Sequence, residues 1–344
     1  MENEPQKLNT NLFAQAMARL GFTPLGILGL GILATLPLVP PFNQEYLIRW
    51  LIMGCMMGAA AIAFDFSGGI IAVVNFGYMA FFGLGAYASG LVALHWRLPP
   101  WFIMFAGGLS SGVLGFLVGA VTLRLRGMMI MCFTWFVGLA LMGLATKMVT
   151  VTRGPRGLLC PPLYPDASNL PYFYTILVMS LVTYVVLSGI VRSHIGLAFR
   201  AIGQNMEGAR TSGVNPLRYR MLNFTLSCAF AGWIGAFYAH FYTVVTPDLL
   251  STAKTVEVLV IAYIGGRASL WGGLAVAVPF VFGMELIRSS LIALPGLNLI
   301  LYGLFLILIM LYYPGGAAQV YNLYIRDSRF IWLRKLATTP GRSK

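Results

Sequence analysis

Long apolar runs separated by short polar connections make up most of the chain. A helix needs about 20 apolar residues to cross the hydrocarbon region of a bilayer, and several of these runs reach that length. Ten segments can be drawn: residues 25–41, 46–64, 69–94, 101–122, 128–150, 171–191, 221–243, 253–265, 272–290 and 298–313. Segment 253–265 is short for a full crossing and fits a re-entrant segment as well, so eight or nine spans stay open. The pattern predicts an all-α membrane protein, a polytopic helical bundle with about ten transmembrane helices.

Positive charge collects in the connections that would share one side of the membrane. If the N-terminus is inside, the connection 123–127, the interval 192–220 and the C-terminal end all lie inside, and all three are basic. The outer connections 42–45 and 244–252 contain no lysine or arginine, whereas the outer loop 151–170 carries two arginines and is an exception. Basic residues mark cytoplasmic connections. Both termini are therefore predicted to be cytoplasmic.

The same pattern divides the chain into three parts. Residues 1–24 are amphipathic and predict a short helix on the membrane surface, with a partly ordered tail as the alternative. Residues 25–313 form the predicted transmembrane domain, which contains the polar interval 192–220 as a cytoplasmic loop. Residues 314–344 form a basic cytoplasmic tail. The interval 192–220 is the longest polar stretch between two apolar runs, and it holds five arginines and one acidic residue.

Composition supports a membrane location. The chain is 58% hydrophobic and 10% charged, whereas soluble domains carry about 25% charged residues. A net charge of +13 is compatible with nucleic-acid binding, but the placement of the basic residues in one set of connections favours membrane insertion instead.

No catalytic constellation emerges from the motifs. The patterns GxxxxGK[ST] and HExxH are absent. The string GxSxG occurs once, at Gly108 to Gly112, but it lies inside an apolar run and not at the strand-to-helix turn of a nucleophile elbow. The four cysteines and three histidines form no CxxC or HxxxH pair, so no metal or cofactor site is expected in this chain. If the protein drives transport, its energy comes from another subunit.

A few polar residues fall inside the predicted spans. The Asn75 amide lies at membrane depth and needs a partner or water there. Glu257 and Glu285 also lie deep, and each fits either an ion pair with a base such as Arg267 or Arg288 or the lining of a cavity. Glu285 and Arg288 are three residues apart, which favours a structural pair. The small residues that follow in segment 69–94 predict close helix packing rather than a pathway.

Several motifs together resemble one family over residues 65–315. The stretch Gly196–Ala239 contains Arg200-Ala201-Ile202, Ala209, Gly213, Asn215 and an Ala-Gly-x-x-Gly-Ala span. Further matching motifs are Asn75-Phe76-Gly77, Phe81 to Tyr87, Leu123 to Gly127 with Thr134 after it, Thr152 to Pro155, Glu257-Val258-Leu259, Ile264-Gly265-Gly266 and Leu270-Trp271-Gly272. The combination resembles the permease subunits of branched-chain amino acid ABC importers, in particular the M-type of the two permeases.

The resemblance implies a type II-like importer permease without catalytic activity of its own. Its partners would be a second permease, with which it forms a heterodimer, two ATPase subunits that bind ATP and magnesium, and an external substrate-binding protein. It would lie in the bacterial inner membrane. The substrate would be a branched-chain or other hydrophobic amino acid, with urea, short amides and aromatic acids as alternatives. An ion-coupled carrier or channel is the alternative from another class.

The resemblance also implies two sets of site residues. The polar interval would form a short coupling helix that docks on an ATPase subunit, with Arg200, Glu207, Ala209, Arg210, Gly213 and Asn215 as its contact residues. An ordinary basic loop held by anionic lipid headgroups is the alternative. The translocation pathway would include Asn75, Tyr78, Thr134 and Glu257.

Overall fold

Residues 24–39, 44–96, 99–122, 124–125, 127–164 and 168–290 are described by the computed structural model, together with single helical positions between 300 and 317. The helices are α1 (Pro24–Thr35), α2 (Glu45–Gly68), α3 (Tyr78–Trp96), α4 (Pro100–Thr122), α5 (Met128–Lys147), α6 (Val149–Thr152), α7 (Leu170–Arg192), α8 (His194–Gln204), α9 (Met206–Thr211), α10 (Pro216–Tyr242), α11 (Thr252–Gly265) and α12 (Trp271–Ser290). Three 3-10 turns, Leu36–Leu38, Gly154–Arg156 and Pro247–Leu250, and two strands, β1 (Leu158–Leu159) and β2 (Val244–Val245), complete the described elements.

Six of the described helices, α2, α3, α4, α5, α7 and α10, are long and apolar enough to cross a membrane. They confirm the predicted polytopic helical fold. Helix α12 contributes a shorter apolar stretch, Trp271–Ile287. The last predicted segment, 298–313, lies mostly outside the described residues, so the number ten stays a prediction. The predicted surface helix at 1–24 and the tail at 314–344 also lie outside them, apart from positions 24 and 317.

Helix α2 is the centre of the bundle. Its side chains are buried almost without a break from Leu51 to its last residue, as expected for a helix that is apolar all round. Helices α7, α10, α11 and α12 all pack against it. Two glycines bring α12 close: a Cβ added at Gly58 would lie 3.0 Å from the Ala277 Cβ, and one at Gly54 would lie 3.0 Å from the Val278 Cα.

The small residues of α3 serve helix packing, as their pattern predicts. A Cβ at Gly85 would overlap the backbone of Gly232 in α10, and a Cβ at Gly235 would overlap the Phe82 carbonyl. Close backbone approach of this kind is how small residues join helices inside membranes. Helices α3, α4 and α10 therefore form a tightly packed group beside α2.

Residues 69–77 leave the helical path, although the sequence predicts one continuous span over 69–94. The run is rich in β-branched side chains, which disfavour helix. At its end the Asn75 side chain accepts a hydrogen bond from the Gly77 amide at 3.0 Å, a turn that lets α3 begin at Tyr78. The Ser67 hydroxyl donates to the Val73 carbonyl at 2.8 Å. Irregular backbone is tolerated at membrane depth where protein buries it, and most of this segment is buried.

A second interruption precedes α11. This helix has 14 residues, which extend about 21 Å and cannot cross the hydrocarbon region alone. It begins at mid-depth, where the Trp135 Nε1 of α5 donates to the Thr252 hydroxyl at 2.8 Å. It ends beside Asp65 in the last turn of α2. The chain from β2 through the 3-10 turn Pro247–Leu250 to α11 thus runs along the bundle in two pieces. A full crossing and a re-entrant segment, the two alternatives from the sequence, both stay predictions.

The two interrupted segments meet in the middle of the bundle. The Met79 amide, in the first turn of α3, donates to the Thr255 hydroxyl in the first turn of α11 at 3.2 Å. Segment 69–77 reaches this point from one end of the bundle, and the 3-10 turn Pro247–Leu250 reaches it from the other. We call this region the crossing, meaning residues 69–79 and 247–257.

The two ends of the bundle differ in structure. At one end, β1 pairs antiparallel with β2, and we call this the ribbon end. His240 of α10 joins α3 and the loop after β1 at this end. Its Nδ1 donates to the Pro161 carbonyl at 2.8 Å, and its Nε2 accepts from the Ser89 hydroxyl at 2.7 Å. At the opposite end lie α8 and α9, which we call the α8–α9 end.

Candidate functional site

The α8 helix lies on the bundle with an apolar face. Gly196, Phe199 and Ile202 are buried at spacings of three, which places them on one side of a helix. The Phe199 ring contacts the ring of Phe66 in α2 edge-on, with centroids 5.7 Å apart. Arg200 is exposed on the other side. The predicted contact residue Arg200 is therefore held in solvent by a well-anchored helix.

Helix α9 follows after one extended residue. The Asn205 side chain caps it by accepting from the Gly208 amide at 3.0 Å. Ala209 is buried, whereas Glu207 and Arg210 are exposed. The interval predicted as one short coupling helix is thus two helices joined at Asn205.

A tight turn joins α9 to α10. Gly213 has a φ of +83°, a left-handed conformation that glycine adopts without strain. Asn215 caps α10 by accepting from the Leu217 amide at 3.2 Å and the Arg218 amide at 3.4 Å. Pro216 is the first residue of α10, where its missing amide hydrogen costs nothing.

The six predicted contact residues thus separate into two groups. Arg200, Glu207 and Arg210 present charges to solvent, whereas Ala209, Gly213 and Asn215 shape the backbone. We call the exposed side of α8, α9 and the first turn of α10 the α8–α9 surface. Arg124, from the connection before α5, joins this surface by lining a cleft of about 490 Å³ together with Glu207, Arg210 and Arg220.

The α8–α9 surface is in direct contact with the crossing. A Cβ at Gly203 in α8 would overlap the Ile70 carbonyl, so α8 rests on the start of segment 69–77. The same segment continues to the Phe76 amide, which donates to the Thr134 hydroxyl at 3.2 Å. A displacement of α8 would therefore press on backbone that leads to the middle of the bundle.

Asp65 joins the end of α2 to the turn between α11 and α12. Its Oδ1 accepts from the Ala268 amide at 2.9 Å and its Oδ2 from the Leu270 amide at 3.1 Å. Ala268 and Leu270 have φ angles of +62° and +50°, which are unfavourable for residues with a Cβ. The carboxylate therefore holds a strained turn in place.

Three of the four predicted pathway residues are engaged in structural contacts. The Tyr78 hydroxyl donates to the Ala60 carbonyl at 2.9 Å, and Tyr78 is fully buried. The Thr134 hydroxyl donates to carbonyls one turn earlier in α5 and accepts from the Phe76 amide. Asn75 is 2% exposed and shapes the turn before α3. These side chains fix the crossing, and their role in a pathway stays a prediction.

The fourth pathway residue, Glu257, forms an ion pair with a residue that the sequence analysis missed. The Lys254 Nζ lies 2.8 Å from the Glu257 Oε2. Lys254 was not among the bases considered from the sequence, which were Arg267 and Arg288. The spacing of three residues on one helix was a visible signal for this pair. The side chain of Arg288, the predicted partner of Glu285, lies outside the described residues.

Further polar groups lie between this ion pair and the ribbon end. The Tyr242 hydroxyl donates to the Met53 sulfur at 3.8 Å, and the Tyr242 ring lies 4.5 Å from that of Tyr238. The charges of Glu285 and Arg49, like that of Glu257, act on the Tyr242 hydroxyl. Helices α2, α10, α11 and α12 thus bring several ionisable groups into the neighbourhood of Tyr242.

Cysteines and histidines form no reactive centre in the described part of the chain, where no three His, Cys, Asp or Glu side chains come together. Cys55, Cys160 and Cys228 are buried, and Cys132 is exposed. Burial raises the pKa of Cys160, in the loop of the ribbon end, to about 11. That thiol is protonated at neutral pH and therefore unreactive.

Comparison with known proteins identifies relatives of the whole bundle. The model of the family described as the permease component of the branched-chain amino acid transport system matches residues 46–310. The LivM permeases of the high-affinity branched-chain amino acid transport systems of Salmonella typhimurium and Escherichia coli K12 are each 26% identical over 280 residues, 72% of this chain. The corresponding LivH permease of Salmonella typhimurium is 23% identical over 300 residues, 79% of this chain and 95% of its own.

The matched part of the chain spans 64% of the length of the LivM relatives. No solved structure matches the chain.

Proposed function

Since the chain belongs to the family of permease components of branched-chain amino acid transport systems, we propose that it is the transmembrane permease subunit of an ATP-driven ABC importer. The importer lies in the bacterial inner membrane, with both termini of this chain in the cytoplasm. A second permease completes the membrane part, and two ATPase subunits and an external binding protein complete the assembly. The substrate is a branched-chain or other hydrophobic amino acid.

The α8–α9 surface is the proposed docking site for an ATPase subunit, and this observation carries the proposal. It consists of α8, which is anchored by its buried face, and the capped helix α9, and it presents Arg200, Glu207 and Arg210 at one end of the bundle. Charged groups of this kind make the stronger hydrogen bonds to a protein partner. The cleft beside Arg124 offers a concave receptor for a protruding segment of that partner. ATP and magnesium are bound by the ATPases, because this chain has no phosphate-binding loop.

Two contacts transmit ATPase movement to the crossing in this proposal. Helix α8 presses on the Ile70 carbonyl through Gly203, and segment 69–77 carries the displacement to the start of α3. The α11–α12 turn moves with the end of α2, since Asp65 binds its backbone. Rocking of these packed elements gives alternating access to the two sides of the membrane.

The translocation pathway lies at the interface between the two permeases. Lys254 supports this placement, because its side chain is 37% exposed in the single chain although it lies at membrane depth. Charged groups at that depth face protein or a water-filled cavity rather than lipid. A partner that covers this face would enclose the pathway.

Reconstitution of the importer in proteoliposomes tests the proposal. The wild-type complex is expected to take up L-leucine only when ATP is present inside and the binding protein outside. The double variant Arg200→Glu with Glu207→Lys, which reverses both exposed charges, is expected to lose ATPase co-purification and uptake together. Arg156→Glu is the matched control, since this exposed arginine lies at the ribbon end and its reversal should change neither result.

Two outcomes would contradict the proposal. If the double variant retains its ATPases and normal uptake, the docking assignment of those residues is wrong. If this chain alone transports its substrate, with no response to ATP, the protein is an ion-coupled carrier or channel instead.

A further inference from the structure

The Lys254–Glu257 pair lies near the middle of the membrane. Thr252, two residues before Lys254, accepts a hydrogen bond from Trp135. At a rise of 1.5 Å per residue, Trp135 lies about 10 Å from the start of α5 and about 18 Å from its end. One turn further along α11, Thr255 accepts from the Met79 amide at the start of α3. Both contacts place the first turn of α11, and with it Lys254, well inside the bundle.

One member of the pair is accessible and the other is not. The Lys254 side chain is 37% exposed and the Glu257 side chain 6%. Stability alone does not favour an ion pair inside the bundle, because apolar side chains in its place are often as stabilising or more so. A half-open pair at this depth instead requires a polar occupant or water against its exposed side.

The surroundings of the pair suit an amphiphilic occupant. Tyr242, which is 39% exposed, experiences the charge of Glu257 as well as those of Arg49 and Glu285 nearer the ribbon end. The rings of Tyr238 and Tyr242, which are tilted against each other with centroids 4.5 Å apart, and the Met53 side chain add apolar surface beside Tyr242. A small molecule that carries both charges and an aliphatic group would find partners for each.

We propose that Lys254 and Glu257 form a transit subsite for a zwitterionic amino acid. The substrate carboxylate binds the Lys254 ammonium, the substrate ammonium binds the Glu257 carboxylate, and the aliphatic side chain contacts Tyr242. The exchange replaces one internal ion pair with two intermolecular ones and leaves the net charge of the site at zero throughout. This inference rests on the proposed function, and it identifies the substrate class at one point of the pathway.

The subsite discriminates among the substrates that the family resemblance leaves open. Urea and short amides have no charge to exchange for either member of the pair. Aromatic acids carry a carboxylate but no ammonium, so Glu257 would lose its cation and remain as an uncompensated buried charge, which is strongly unfavourable. Only an amino acid satisfies both groups.

Charge-removing variants in the reconstituted importer test the subsite. Lys254→Met and Glu257→Gln are each expected to lower L-leucine uptake at least about tenfold, the loss that one charge-assisted hydrogen bond predicts. ATPase co-purification and ATP turnover should persist, so the ATP consumed per leucine rises. Because each single variant leaves a lone charge that endangers folding, the double variant Lys254→Met with Glu257→Gln is measured as well. Arg156→Gln is the matched control, expected to transport normally.

A thiol placed beside the pair tests occupancy without transport. Ser251 lies one turn before Lys254 on the same helix face, and its side chain makes no capping hydrogen bond. In a Cys132→Ser background, the Ser251→Cys thiol should react with a water-soluble thiol reagent, and L-leucine should slow that reaction. Adding Lys254→Met should abolish the protection. Leu109→Cys, at an exposed position lining an apolar groove, is the control expected to resist the reagent.

The outcomes separate the two proposals. If the double variant transports leucine at the wild-type rate and ATP cost, or if leucine gives the Ser251→Cys thiol no protection while the wild type transports it, the subsite is overturned and the importer stands. If wild-type uptake ignores ATP, the importer is overturned, and protection of the Ser251→Cys thiol, measured without ATP, still supports the subsite.

Discussion

The α8–α9 surface and the crossing use polar residues in opposite ways. At the α8–α9 surface, the backbone is satisfied locally by Asn205 and Asn215, each within three residues of its partners. The charged side chains there are left exposed to solvent. In the crossing, Thr255 and Asn75 lie in buried contacts, and one of them joins segments 176 residues apart in sequence.

The difference identifies which region can carry which task. An exposed surface with locally capped helices can change partners without disturbing its own fold. In the crossing, most hydroxyl and amide groups are already used in hydrogen bonds that hold non-helical backbone in place. Lys254 is an exception in this region, because its charged side chain is half exposed and close to other ionisable groups. This difference is the reason for placing ATPase docking at the α8–α9 surface and substrate passage at the crossing.

Gly77→Ala is expected to give the largest loss of stability. A Cβ at this position would overlap the Thr134 carbonyl, so α3 and α5 would have to separate at the crossing. Overpacking against backbone should cost about 3 kcal/mol, measured as a lower midpoint of thermal unfolding in detergent. Gly143→Ala on α5 is the control, since nothing lies within 4 Å of its added Cβ. Equal midpoints for the two variants would show that the crossing is loosely packed.

Asp65→Asn is expected to have an intermediate effect. The amide group keeps one acceptor oxygen, so one of the two backbone donors at Ala268 and Leu270 loses its partner. An unsatisfied buried donor costs about 2 kcal/mol, and the strained α11–α12 turn should open, which protease sensitivity at that turn would reveal. Asp248→Asn removes the same charge from an exposed position and should leave stability unchanged. An unchanged turn in Asp65→Asn would refute the role assigned to this carboxylate.

Asn215→Ala at the α8–α9 surface is expected to have the smallest effect. The loss of a helix cap costs about 1 kcal/mol, and the main body of α10 is anchored elsewhere by its packing on α3 and α4. The unfolding midpoint should fall slightly, whereas Gln204→Ala, an exposed residue at the end of α8, should not lower it. A loss as large as that of Gly77→Ala would erase the contrast between the two regions.

The sequence predicts the helices well but not the crossing. Apolar runs of sufficient length predict α2, α4, α5, α7 and α10. The backbone hydrogen bonds of each helix form within the helix itself, so no distant partner has to be known. The start of α3 was misplaced, since Ile70 to Val74 are as apolar as any span and their extended path depends on contacts with α5, α8 and α11. The partners of Asp65 and Thr134 are backbone groups of distant segments, which no local pattern reveals.

The site residues show the same difference between local chemistry and contacts that depend on the packing of distant segments. Glycine and asparagine at 213 and 215 act within their own turn, so their structural roles follow from local chemistry. Lys254 was not among the predicted partners of Glu257, although its spacing of three residues on one helix suits an ion pair. The exposure of its side chain depends on the packing of α11 and could not be read from the sequence.

Cross-linking of the α8–α9 surface to an ATPase subunit tests the central claim most directly. The variant Arg210→Cys, in a Cys132→Ser background, is combined in the assembled importer with a cysteine on the ATPase surface. The account predicts a cross-link to the ATPase whose yield changes when ATP is bound, with none from Arg156→Cys at the ribbon end. An ATPase that cross-links to Arg156→Cys, or that never cross-links to Arg210→Cys in an active complex, would contradict it.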